Sequence, residues 1–127
     1  MKGPARPDAA WLRAWWPALA WAGVIWWASS LVVTPDMYPT VRGGDKLFHA
    51  GEFLVYGYLM ARGAWLRRWS TTRSEWHRIM AVVLITAVID EWHQAFVPFR
   101  HADALDAAVD LLGGALGALG FARDHRA

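Results

Sequence analysis

Acidic residues are concentrated where the rest of the sequence is apolar, and their spacing predicts three polar stripes on helices. Residues three or four apart share one helix face. The first stripe consists of Asp45, His49, Glu52 and Tyr56. The second consists of Asp90, Glu91 and Gln94, and the third of Asp103, Asp106 and Asp110. Carboxylates and an imidazole arranged in this way could exchange protons, ligate a divalent metal ion or hold the polar part of a ligand.

Four apolar segments close to the length that spans a bilayer supply the helices that would carry these stripes. They cover residues 11–33, 45–66, 78–97 and 102–122. Their charges gather at one end, whereas a helix of a soluble four-helix bundle, the alternative, needs a polar outer face. A cleaved signal peptide over residues 1–28 is disfavoured by the missing A-x-A pattern. We therefore predict an all-α polytopic membrane protein, one domain over residues 1–127 with a bundle of four transmembrane helices.

Lysine and arginine are unevenly divided between the two sides that four spans would create. The two tails and the loop at 67–77 share one side, and the other two loops share the opposite side. The first side carries Lys2, Arg6, Arg13, Arg67, Arg68, Arg73, Arg78, Arg123 and Arg126. The second side carries Arg42, Lys46 and Arg100. The positive-inside rule therefore places both termini in the cytoplasm.

All three polar stripes then reach the same depth in the outer half of the membrane. Glu52, Asp90 and Asp110 each lie seven residues inside the outer end of their segment, which is about 10 Å at the rise of an α-helix. Carboxylates at that depth must be protonated, paired with Arg100 or Lys46, or bound to a cation. A water-filled polar cavity that opens outward would accommodate them.

Several of these residues also have purely structural interpretations. Arg100 and Lys46 suit a membrane interface with their aliphatic stems buried, and Asp103 suits the N-cap of the fourth helix. His49 suits a hydrogen bond to a neighbouring helix, and Tyr56 suits one to a carboxylate. Small residues in the fourth helix predict close packing on a neighbour. They are Gly113, Gly114, Gly117 and Gly120.

Three segments, read together and in order, resemble the family of VanZ-like membrane proteins. The D-K-x-x-H…Y-x-x-L segment of that family resembles DKLFHAGEFLVYGYL. Its D-E-x-x-Q-x-F-x-P-G-R…D…N-x-x-G segment resembles DEWHQAFVPFRHADALDAAVDLLGGALG. The S-S…P at the end of its first helix is similar to WASSLVVTP. Together the three segments span residues 28–117.

The resemblance implies a bacterial inner-membrane protein of the cell envelope, in a family associated with resistance to the glycopeptide teicoplanin. The recurring polar positions that it implies are Asp45, Lys46, His49, Tyr56, Asp90, Glu91, Gln94, Arg100 and Asp106. Two positions depart from the family pattern. Phe99 stands where the family usually has Gly, and Asp110 stands where it often has Asn. The second departure adds an acid and could alter an ion preference.

Composition excludes several kinds of chemistry. The chain has no Cys, which excludes a disulfide framework, an iron–sulfur cluster and a thiol nucleophile. Neither a G-x-S-x-G nor a P-loop pattern occurs. The net charge is only +2, and no basic recognition element is present, so nucleic acid is not an expected partner.

Three functions remain open at this stage. The favoured one is to bind or modulate a lipid-linked envelope component, with membrane lipids or a lipid-linked cell-wall precursor as partners. The alternative is a membrane-embedded, metal-dependent enzyme acting on a lipid phosphate or a lipid-linked substrate. The third is ion or proton transport, although no continuous polar path continues below Tyr56 and Asp110. Assembly into a homo-oligomer is compatible with each of them.

The residues involved follow from the stripes and from the basic side chains beside them. The predicted ligand-binding residues are Asp45, Lys46, His49, Glu52, Tyr56, Asp90, Glu91, Gln94, Arg100, Asp103, Asp106 and Asp110. The catalytic candidates of the enzyme alternative are Asp90, Glu91, His49 and Asp106. Its cofactor would be a divalent metal ion, and the candidate ligands are His49, Glu52, Asp90 and Glu91. His93, three residues after Asp90, offers a further pair at ligand spacing.

Overall fold

The structure, a computed structural model, describes residues 8–34, 44–67 and 73–125. These residues form four α-helices and contain no strand, which confirms the prediction of an all-α fold. The helices are α1 (Ala9–Ser30), α2 (Gly44–Leu66), α3 (Arg73–Gln94) and α4 (Ala104–Asp124). The basic residues predicted at 2, 6, 42, 68 and 126 lie outside the described residues.

α3 begins and ends earlier than the predicted segment at 78–97. It starts at Arg73 and stops at Gln94, and residues 95–99 form turns. Pro98 explains the early end, because proline lacks an N–H and disfavours the helical conformation in the residue before it. A hydrogen bond of 3.0 Å from Val97 N to the Gln94 carbonyl oxygen closes the turn instead.

α2 and α4 pack backbone to backbone through glycines. A Cβ atom on Gly57 would overlap the backbone of Gly114, and one on Gly117 would overlap the carbonyl group of Leu54. The close packing predicted for α4 is therefore confirmed at these positions. Gly120 differs from them, since a Cβ atom there would meet nothing within 4 Å.

α1 packs against α2 and α3 with its tryptophans. Trp21 Nε1 donates a hydrogen bond of 2.8 Å to the Glu52 carbonyl oxygen of α2. Towards α3, Trp26 stacks on His93 with the ring centroids 3.9 Å apart. His93 Nε2 also lies 2.8 Å from Ser30 Oγ. His93 therefore faces α1 and joins it to α3.

The bundle has an apolar core, but it also exposes large apolar side chains and buries several polar ones. Large apolar side chains are exposed on all four helices, among them Trp27, Leu47, Ile85 and Leu112. The buried polar or charged side chains of the described residues are Ser29, His49, Asp90, Glu91, Gln94, Asp106 and Asp110. By length and composition, one helix of the described chain, Ala104–Asp124, is apolar enough to cross a membrane.

The connection between α3 and α4 contains a backbone conformation that favours glycine at position 99, where this chain departs from the family pattern. Phe99 has φ 64°, which is in the left-handed region. That region costs a residue with a Cβ atom about 1–2 kcal/mol, whereas glycine adopts it without this penalty. Phenylalanine at the usual glycine position is therefore strained.

We expect Phe99→Gly to raise the free energy of unfolding by up to about 1 kcal/mol, because it removes this strain. The gain is below the full strain energy because glycine also increases the entropy of the unfolded chain. Thermal unfolding in detergent measures the change. Phe96→Gly is the matched control, since Phe96 is also exposed and its φ is not positive. A lower unfolding midpoint for Phe99→Gly would contradict the prediction.

Candidate functional site: a buried polar cluster beside a cavity

Three helices bring buried polar residues together near one end of the bundle. We call His49, Asp90, Glu91 and Asp110 the polar cluster. His49 lies in the first half of α2, Asp90 and Glu91 near the end of α3, and Asp110 in the first half of α4. All four are buried, and Asp110 has no exposed surface. Each of the three stripes seen in the sequence contributes to the cluster.

His49 and Asp110 form the contact between α2 and α4 within the polar cluster. His49 Nδ1 lies 3.1 Å from Asp110 Oδ1. The contact depends on the close approach of the two helices, because a Cβ atom on Gly113 would lie 2.5 Å from the Ala50 carbonyl oxygen. The hydrogen bond to a neighbouring helix that was predicted for His49 is confirmed.

Two neighbours orient the carboxylates of α3. Gln94 Nε2 donates to Asp90 Oδ2 at 3.0 Å, and the Asp103 backbone N–H donates to Glu91 Oε2 at 2.7 Å. In Asp90, Glu91 and Asp110, the second oxygen has no hydrogen-bond partner among the described residues. Helical spacing indicates the contact between Gln94 and Asp90. The contact of Glu91 with the Asp103 main chain depends on the loop conformation and has no signal in the sequence.

A second group of charges, which we call the rim, lies beside the polar cluster. It consists of Asp45, Lys46, Asp103 and Asp106. Lys46 Nζ lies 2.6 Å from Asp106 Oδ1, 3.2 Å from Asp103 Oδ2 and 3.8 Å from Asp45 Oδ2. Lys46 therefore neutralises part of the acidic charge and joins α2 to the start of α4.

Asp103 combines two structural tasks at the start of α4. Its Oδ1 accepts a hydrogen bond of 2.8 Å from the Leu105 N–H, which confirms the predicted N-cap. Its own N–H donates to Glu91, as described above. The residue thus connects the rim to the polar cluster through its main chain.

A cavity of about 550 Å³ opens beside both groups. Its polar wall includes Asp45, His49, Gln94, Arg100, His101, Asp103 and Asp106. Apolar side chains, among them Leu31, Phe48 and Phe99, line the rest. A cavity with polar and apolar walls suits a ligand that has both kinds of surface.

Arg100 lines the cavity but forms no ion pair with a carboxylate of the described chain. Its Nε donates to the Leu31 carbonyl oxygen and its Nη2 to the Ala28 carbonyl oxygen, each at 3.2 Å. The carbonyl groups in the last turn of a helix lack partners within the helix, which is why a cation is favourable there. The predicted pairing of Arg100 with carboxylates is therefore replaced by a cap on α1.

Tyr56 and Glu52 continue the stripe of α2 but lie outside the polar cluster. The Tyr56 hydroxyl is 3.2 Å from Thr86 Oγ1, so the predicted hydrogen bond to a carboxylate is wrong. Glu52 is half-buried and is not among the four residues whose donor atoms converge. The carboxylate beside His49 is that of Asp110 on α4, and the prediction of Glu52 as a metal ligand together with His49 is not supported.

The polar cluster has the donor atoms of a cation site. One donor atom from each of His49, Asp90, Glu91 and Asp110 can be chosen so that all lie within 4.8 Å of one another. Three of these residues were candidate metal ligands in the sequence, and Asp110 was proposed there only as a ligand-binding residue. His93, the other candidate beside Asp90, faces α1.

Fold and site together define a class of protein, a helical bundle in which polar residues are buried beneath an apolar surface. That arrangement is typical of membrane proteins, where intramembrane ionisable residues face the bundle interior. Within this class, a family model described as VanZ/LLP1 matches residues 10–123, so the chain belongs to the VanZ/LLP1 family. The family and the apolar length of α4 both indicate a membrane protein. No curated protein and no solved structure matches the chain.

Proposed function

We propose that all four helices span the bacterial inner membrane and that both termini lie in the cytoplasm. α4 supports this by its apolar length. The other three helices support it by their exposed apolar side chains, such as Trp27, Leu47 and Ile85, because soluble monomers rarely expose large apolar areas. Arg67 and Arg123, at the ends of α2 and α4, lie opposite the polar cluster, as the positive-inside rule requires of the cytoplasmic side.

Within that membrane, we propose that the cavity binds the head group of a membrane lipid or of a lipid-linked cell-wall precursor. The observation that carries the proposal is one cavity with charged and apolar walls, in a bundle that exposes large apolar side chains. Lys46, which lies beside the cavity wall on Asp106, would contact a phosphate, and the acidic residues would accept hydrogen bonds from hydroxyl or amine groups. Such binding would link the protein to teicoplanin resistance by changing the precursors or surface lipids that a glycopeptide meets.

A metal-dependent enzyme acting on a lipid phosphate or a lipid-linked substrate is the second candidate. The four converging donors of the polar cluster favour it, because a divalent cation could polarise a phosphate group there. Asp106, which lines the cavity, would be the candidate for proton transfer. Formation of a product from a lipid-linked substrate distinguishes this function from binding alone.

The outward orientation of the cavity is testable because the sequence contains no cysteine. Asp45→Cys places a thiol at the cavity wall, and Ser74→Cys places one at the start of α3, at the other end. We expect a membrane-impermeant maleimide to label the first in intact spheroplasts and the second only after permeabilisation. The reverse pattern would put the cavity on the cytoplasmic side and overturn the orientation.

Native mass spectrometry of the detergent-purified chain tests the binding itself. We expect the wild type to retain a phosphate-containing lipid, and Lys46→Gln to lower the retained fraction about tenfold through the loss of a charge-assisted contact. Arg78→Gln is the matched control, because it removes one positive charge from the exposed start of α3. Equal retention by the two variants would contradict the role of Lys46, and no retained lipid in the wild type would contradict the binding function.

A further inference from the structure

The polar cluster combines nitrogen and oxygen donors from three different helices. His49 comes from α2, Asp90 and Glu91 from α3, and Asp110 from α4. One donor atom from each lies within 4.8 Å of the other three. Packing of separate helices, and not one short sequence motif, therefore brings four metal-ligating groups to one point.

A second observation is that the acids of this cluster have unsatisfied oxygens. Asp90, Glu91 and Asp110 are only 2%, 6% and 0% exposed. Asp90 Oδ1, Glu91 Oε1 and Asp110 Oδ2 are buried and have no hydrogen-bond partner among the described residues. Burying a carboxylate oxygen without a hydrogen-bond partner costs free energy. A bound ligand or protonation of the carboxylates would remove this cost for the three oxygens beside the imidazole.

The basic side chains of the neighbourhood do not meet this need. Lys46 is engaged with Asp103 and Asp106 at the rim. Arg100 donates to carbonyl oxygens at the end of α1. Across the part of the chain that the structure describes, the only basic group in an ion pair with the three cluster acids is the His49 ring.

The geometry points to a divalent-cation site formed by His49, Asp90, Glu91 and Asp110. One imidazole and three carboxylates, without sulfur, suit Mn²⁺ or Zn²⁺ better than a metal that prefers thiolates. Gln94 and the Asp103 N–H hold the carboxylates of α3 in orientation, which is the task of an outer shell around a metal. The proposal rests on the four donors and the three unpartnered carboxylate oxygens, and it does not depend on head-group binding.

Metal analysis of the purified full-length chain tests this site. The protein is stripped with a chelator, dialysed against Mn²⁺ or Zn²⁺ and analysed for bound metal, with Mn²⁺ binding followed independently by electron paramagnetic resonance. We expect one ion per chain in the wild type and an affinity at least about tenfold weaker in Glu91→Gln and in Asp110→Asn. Asp124→Asn, the same change at the exposed end of α4, is expected to bind like the wild type.

Two outcomes would overturn the site. The first is no stoichiometric ion in the wild type, which would mean that protonated carboxyl groups alone occupy the cluster. The second is binding that Glu91→Gln and Asp110→Asn leave unchanged, which would mean adventitious metal elsewhere. Circular dichroism checks the fold of both variants. If both variants unfold, thermal unfolding of the wild type decides. Its unfolding midpoint must rise with Mn²⁺ concentration, and the midpoint of Asp124→Asn must rise by the same amount. A wild-type midpoint that does not change with Mn²⁺ would overturn the site.

The metal experiment separates this site from the proposed head-group binding. A wild type that binds one ion and retains no lipid supports the cation site and contradicts the binding function. A wild type that retains lipid and binds no ion supports the binding function and contradicts the cation site. The two proposals can therefore fail independently.

Discussion

Replacing Gly117 with alanine is expected to lower the free energy of unfolding by at least about 3 kcal/mol. The new Cβ atom would overlap the Leu54 carbonyl group and lie 2.9 Å from the Tyr58 backbone nitrogen. Overpacking of side chains typically costs about 1–3 kcal/mol, and main-chain atoms of a helix yield less than flexible side chains. α2 and α4 must therefore move apart or the protein must unfold.

The matched control is Gly120→Ala on the same helix. A Cβ atom at position 120 meets nothing within 4 Å, so this variant should gain about 0.5–1 kcal/mol from the higher helix propensity of alanine. Unfolding in mixed micelles, followed by circular dichroism, measures both variants. Similar stabilities for Gly117→Ala and Gly120→Ala would show that α2 and α4 are not in backbone contact.

The Gly117→Ala variant also tests the polar cluster. His49 and Asp110 lie on α2 and α4, and the 3.1 Å contact between them depends on the distance between these helices. We therefore expect Gly117→Ala to weaken any binding at the polar cluster even under conditions in which the variant stays folded. The small residues of α4 serve the site through this spacing.

Helical periodicity was sufficient to group the polar residues, because side chains three and four residues apart share a face in any helix. It placed His49, Asp90 and Asp110 on inward faces, and the structure buries all three. Small residues on α4 likewise predicted a closely packed neighbouring helix, and Gly117 does pack against the backbone of α2.

Periodicity could not predict which residues of a stripe meet, because that depends on the separation and rotation of the helices. Along α2, His49 reaches Asp110, whereas Tyr56 lies further along the helix and reaches Thr86. Glu52 lies between them in the stripe and joins neither contact.

Loop conformation was the other source of error. Arg100 sits in a connection whose path is set by Pro98 and by the left-handed conformation of Phe99. Its guanidinium binds carbonyl oxygens at the end of α1, and these residues are too far away in the sequence for a local pattern to predict the contact. The contact between the Asp103 N–H and Glu91 has the same origin.

Removing the imidazole of the buried pair is expected to destabilise the protein about as much as overpacking the helices. In metal-free protein, His49→Ala is expected to lower the free energy of unfolding by about 3–5 kcal/mol, because it leaves the fully buried Asp110 without its partner. The neighbouring carboxylates of Asp90 and Glu91 increase the penalty, since all three acids lie in one cluster. Chemical unfolding in micelles after chelator treatment measures the loss.

A double-mutant cycle separates the charge of Asp110 from the packing of His49. Asp110→Asn removes the charge and keeps the shape, and it restores the residue that VanZ-like proteins often carry here. We expect His49→Ala to cost about 1–3 kcal/mol less in the Asp110→Asn background than in the wild type, because the buried amide needs no charged partner. An equal cost in the two backgrounds would mean that His49 acts by filling space alone. A reduced cost would identify the imidazole as the group that makes a buried acid tolerable at this position when no cation is bound.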